Sequence, residues 1–88
     1  MDLFKEMTQK SAGFGYLSHP SRNEEMDKIV YKVLKKKKID KKSMFLFLDS
    51  SFGRYMADQL SENPSNSEEI IYSYLKYLTI LERENVAV

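Results

Sequence analysis

The sequence predicts a mostly α-helical chain with one short strand. Three observations carry this. Met26, Ile29, Val30, Val33 and Leu34 fall on one face of a helix. Ile70, Ile71, Tyr74, Leu75, Leu78 and Leu81 do the same further on. Between them lies "SMFLFLDSSF", Ser43 to Phe52, which alternates as a strand does and has no strand-like counterpart elsewhere in the chain.

Element by element, residues 3 to 9 have the makings of a short helix, with Leu3, Phe4 and Met7 on one side. "SAGFGYLSHPSR" carries two of the three glycines and one of the two prolines and reads as loop. Its Gly-Phe-Gly is not a phosphate loop, because no strand precedes it and no Gly-Lys-Ser/Thr follows. Ser21 with Glu24 forms a capping-box pattern that opens a helix over about Arg22 to Lys37. "IDKKS" breaks that pattern, and Met44 to Leu48 is apolar at every position, so both sides of a strand there need cover. Asp49 or Ser50 can cap the next helix, about Ser51 to Ser61, on which Phe52, Met56 and Leu60 sit four apart. "ENPSN" is a turn around Pro64. Ser67 caps the last helix, Glu68 and Glu69 suit its dipole, and the helix runs to about Glu82 before a fraying "RENVAV" tail. The expected organisation is an arm over 1–21, a basic helix and linker over 22–42, a domain over 43–83 and a tail over 84–88.

Composition narrows the function classes. Eighty-eight residues, 42% apolar and 31% charged, make one domain at most, stabilised as a small bundle or an obligate oligomer. The absence of cysteine removes disulfides and thiolate metal sites and fits a reducing, cytoplasmic setting. No run is long enough to cross a bilayer, and the amino terminus lacks the order of a secretion signal, so no membrane association is expected. The net charge of +1 conceals a division: eight lysines lie between Asp27 and Lys42, whereas acidic residues dominate after Ser43. That asymmetry points to a polyanion partner, with a solvated helix face and the helix dipole as the plainer account of Lys35, Lys36, Lys37 and Lys38.

A lone strand leaves a row of backbone donors and acceptors unpaired, and pairing with the same strand of a second copy would satisfy them in a two-fold dimer. The order strand, short helix, turn, longer helix, with Leu48-Asp49, Ser50-Ser51, Phe52, Met56, the Asn63–Asn66 turn and Ser67-Glu68-Glu69-Ile70-Ile71, resembles the ribbon-helix-helix DNA-binding family over Ser43 to about Arg83. With a basic segment ahead of it, the chain is similar to small plasmid partition and copy-control proteins.

The resemblance implies a homodimer that inserts a two-stranded ribbon into the major groove of double-stranded DNA, as a centromere-binding adaptor or an autorepressor, with higher-order arrays on DNA as an extension. It implies that Ser43, Phe45 and Phe47 face DNA and that Met44, Leu46 and Leu48 face the core. The amides of Asn66 and Ser67 would hold a phosphate, and Lys41, Lys42 and Lys35 to Lys38 would contact others. Two phenylalanines among three reading positions depart from the usual polar set. They admit hydrophobic readout, cover by the Arg22–Lys37 helix, or a protein on the ribbon.

Other candidates have plainer accounts. His19, the single histidine, has no second ligand and reads as loop filler. Glu24, Glu25 and Asp27 suit a helix start. Tyr74 suits the core, and Tyr72 and Tyr77 a rim or dimer interface. No nucleophile elbow, metal set or cofactor motif is present in the sequence, and no enzyme is expected. Two alternatives stand beside DNA binding. One is an all-α protein-interaction module in which Met44–Leu48 is a buried helix or docking segment, with a protein partner for the amino-terminal region. The other is an antitoxin.

Overall fold

The segment predicted to be a strand is a helix. In the computed structural model, which describes residues 3–86, Lys41–Leu48 is α-helical, and no strand occurs among the described residues. The helices are α1 (Lys5–Lys10), α2 (Glu24–Lys36), α3 (Lys41–Leu48), α4 (Ser51–Glu62), α5 (Ser67–Leu75) and α6 (Leu78–Val86). Short 3-10 turns lie at Tyr16–Ser18 and Pro64–Asn66.

The signal that starts α3 is Asp40. Its carboxylate accepts from the Ser43 amide at 2.8 Å, and its carbonyl accepts from the Met44 amide at 2.9 Å. An N-cap of this kind satisfies donors that a helix start leaves orphaned. Five apolar residues in a row fit a period of 3.6 as well as a period of 2, so the cap and the packing decide. Met44, Phe47 and Leu48, spaced i, i+3, i+4, are the buried face. Phe45 and Leu46 are half-buried. The helix satisfies its own backbone, and with that the reason for pairing with a second chain disappears. The ribbon-helix-helix fold is therefore corrected to an all-α bundle.

Ser50 makes the corner between α3 and α4. Its hydroxyl donates to the Phe47 carbonyl at 2.6 Å and accepts from the Gly53 amide at 3.2 Å, so one side chain closes one helix and opens the next. The crossing is close. A Cβ at Gly53 would lie 2.5 Å from the Leu48 carbonyl oxygen and 2.8 Å from that of Phe47. On the other side, a Cβ at Gly15 would fall on the same Leu48 oxygen and 2.7 Å from Asp49 Cα.

Helix α2 begins two residues later than the spacing predicts. Asn23, not Ser21, caps it, accepting from the Met26 amide at 2.9 Å. Its end is a Schellman motif: the Ile39 amide bonds to the Leu34 carbonyl and the Lys38 amide to that of Lys35. Lys38 sits in the left-handed region there, at φ 57°. The last predicted helix is divided at Lys76–Tyr77, where the Tyr77 ring stacks on Phe52 at 4.5 Å between centroids and 4° between planes. The division turns α6 onto α3, where Ser43 Oγ donates to Glu82 at 3.1 Å, and buries Leu78. The "RENVAV" segment is helical through Val86, and the rest of the expected tail lies outside the described residues. Ser67 does not cap α5. It is the first residue of that helix, and its hydroxyl donates to the Pro64 carbonyl at 2.6 Å.

One core cluster runs from Phe4 through Tyr16, Val30, Leu34, Phe47, Met56 and Ile71 to Leu78. It draws on arm, basic helix and carboxy-terminal half alike. The radius of gyration, 11.9 Å, is that of a single globule of this length, about 12 Å. Phe4, Tyr16, Leu17 and the buried face of α2 thus share one core with the carboxy-terminal half.

Two substitutions test these joints against ordinary helix propensity. Gly→Ala in a helix interior usually stabilises by about 1 kcal/mol. At Gly53 the new methyl meets backbone, and the variant is expected to be destabilised by about 1–3 kcal/mol in urea unfolding. Lys38→Gly relieves a left-handed L-residue and is expected to gain about 1 kcal/mol, a rise of roughly 4–8 °C in melting temperature.

Candidate functional site

The loop to which the sequence gives no role is a clasp. Ser11 Oγ donates to Asp49 Oδ1 at 2.7 Å, and the Ala12 amide bonds to the same carboxylate at 3.2–3.3 Å. His19, read as filler, bridges to α4. Its Nδ1 accepts from the Ser21 amide at 3.1 Å, which places the ring proton on Nε2, and Nε2 contacts Asp58 Oδ1 at 2.6 Å. Between these anchors Tyr16 and Leu17 are buried.

Beneath the clasp lies a charged pair that the sequence reading missed. Asp27 is 6% exposed. It accepts from the Tyr16 hydroxyl at 2.6 Å and from Arg22 Nε at 2.9 Å. Arg22 Nη1 also donates to Thr8 Oγ1 at 3.0 Å and the Leu17 carbonyl at 2.8 Å, and its guanidinium lies 5.9 Å from the Phe4 and Tyr16 rings. Asp27 therefore belongs to a structural network, not to an acidic cluster at a helix start. Among the described residues every buried side-chain nitrogen or oxygen has a hydrogen-bond partner. The network holds α1, the loop and α2 together.

The proposed DNA-reading residues are not brought together. Phe47 is fully buried, and Phe45 is half-buried beside α1. Ser43 is half-buried and bonded to Glu82. The Asn66 amide is already bonded to the Asn63 carbonyl at 3.1 Å, so it is not an open phosphate donor. Ser67 lies beside Met26 and Ile29 near the start of α2. Lys35 to Lys38 lie toward the other end of that helix, roughly 10–15 Å further along its axis.

The lysines do converge. Lys35 and Lys36 end α2, Lys37 and Lys38 follow it, and Lys41 and Lys42 begin α3, all exposed. Lys5 and Lys10 of α1 join them across a groove of about 580 Å³. Lys35 sits over the Tyr31 ring, which packs edge-on against Phe4 in the floor of that groove. Lys37 points to the other side of α2, over Tyr72. Three carboxylates temper this pole: Asp40 in its cap, Glu82 on Ser43, and Glu6, which lies 3.5 Å from Lys41 with both side chains open to water.

The tyrosines form a second surface. Tyr72, Tyr74 and Tyr77 are all half-buried, so Tyr74 is less deep than its helical position predicts. Burial pushes the Tyr74 hydroxyl above its ordinary value, with Tyr77, Asp58 and Tyr55 adding to the effect.

Among the described residues no three histidine or acidic side chains gather where they would share a metal ion, and no helix is long and apolar enough to cross a membrane. Comparison with protein-family models, curated proteins and solved structures finds no match to this chain.

Arg22→Met tests the network. It leaves a buried carboxylate without its cation, and an expected loss of about 3 kcal/mol should appear as a lower urea midpoint with an unchanged slope.

Proposed function

We propose that the chain is a non-catalytic binding module whose basic pole takes a polyanionic partner. The observation that carries this is a pole of seven lysines, Lys5, Lys10, Lys41 and Lys42 around one groove and Lys35, Lys36 and Lys38 where α2 leads into α3, against Glu6, Asp40 and Glu82. Their exposure is costly for the fold in one respect. Lys41 and Lys42 occupy the first turn of α3, where the helix dipole disfavours cations. Stability alone would place acidic residues there.

Such a pole attracts anions at long range and binds them through point charges rather than bidentate forks. On DNA it would reach phosphates, not base edges. Phe47 is inside the core, and among the described residues there is no strand to enter the major groove. Sequence-specific repression or partition through a paired ribbon therefore has no support from this geometry.

The test is fluorescence anisotropy of the whole protein against two labelled polyanions, a random DNA duplex and poly-glutamate. Binding of at least one is expected at roughly 50 mM salt, with affinity falling linearly on a logarithmic salt scale. Reversing Lys35, Lys38, Lys41 and Lys42 to glutamate should weaken it by more than tenfold, and Lys28→Glu at the distant start of α2 should not. If neither polyanion binds, or if both variants behave alike, the basic pole is only a solvated surface.

A further inference from the structure

We infer that the groove between α1 and the start of α3 takes an acidic amphipathic helix supplied by another protein. The inference rests on the basic-pole reading and narrows its partner. The groove has two chemistries in one place. Its floor is apolar, with Leu3, Met7 and Phe45 half-buried above the fully buried Phe4. Its rim carries Lys5 and Lys10 on one side and Lys41 and Lys42 on the other, with Glu6 as the one acidic lining residue.

A nucleic-acid backbone satisfies the rim and leaves the floor wet. A neutral apolar segment fills the floor and leaves four ammonium groups facing it. A helix with an apolar stripe flanked by carboxylates meets both, which is the groove mode of peptide recognition. Strand addition has nothing to join, since the described residues contain no sheet edge. Met7 gives the floor some adaptability. The Lys41–Glu6 contact is loose, 3.5 Å between side chains 82% and 78% exposed, so an incoming carboxylate displaces it at little cost.

The experiment compares three labelled probes on the full chain. One is a synthetic peptide of about 18 residues, long enough to hold a helix, with leucines on one face and glutamates beside them. The second is the same composition scrambled, and the third a random DNA duplex. The ordered peptide is expected to bind at least tenfold tighter than the scramble. Met7→Glu and Phe45→Ala, checked for folding by circular dichroism, should remove that preference. Lys5→Glu with Lys10→Glu, on exposed positions that leave the core intact, should weaken the ordered peptide more than tenfold. Equal binding of ordered and scrambled peptides overturns the groove and leaves the basic pole standing. A duplex that binds tighter than the ordered peptide and ignores Met7→Glu overturns it in favour of nucleic acid. No binding by any probe at low salt overturns both readings.

Discussion

The rest of the structure depends on the close crossing at Leu48. Its carbonyl is approached by Gly53 from α4 and by Gly15 from the amino-terminal loop, so three stretches of backbone meet where side chains have no room. Around that point the polar groups are used up in order. Ser50 joins the end of α3 to the start of α4, and Asp49 holds Ser11 and Ala12. A chain of this length buries a smaller fraction of its surface than a larger domain does, so fixed joints of this kind matter more here.

From that corner the remaining architecture follows. With the loop held at Asp49 at one end and by His19 at Asp58 near the other, Tyr16 is carried into the core, and its hydroxyl meets Asp27. Arg22 then finds, among its partners, the Asp27 carboxylate, the Thr8 hydroxyl and the Leu17 carbonyl within reach of a single guanidinium. A buried pair of this sort adds little stability over an apolar replacement of the same shape, but it fixes which loop conformation is compatible with the core. The same placement draws α1 alongside α3. The groove and its lysine rim are therefore a consequence of the clasp, not of α1 or α3 alone.

The proposed partner surface and the structural network are separate in their chemistry. Arg22 and Asp27 are enclosed and satisfied, which suits a scaffold. The lysines are exposed, few have close anionic partners, and two of them oppose their own helix dipole. That contrast is why the basic pole, rather than the more tightly bonded cluster, is the candidate for recognition.

The sequence by itself determined the helical spacing of α2, α4 and α5, the turn at Pro64, a cap for α4 at Asp49 or Ser50, and the crowding of lysines before Ser43. Each of these depends on neighbours a few residues apart. Asp40 before Ser43 was a legible sign of a helix start, yet the five apolar residues that follow satisfy both periodicities, and local pattern has no means of choosing between them. Only the tertiary structure decided that choice. Met44, Phe47 and Leu48 pack as one helical face on a core whose other residues come from distant segments, and the helix leaves no backbone in need of a second chain. The same holds for Arg22 with Asp27, for His19 with Asp58, and for the groove. Their partners converge only after the loop has folded back, and no spacing along the chain records that closure.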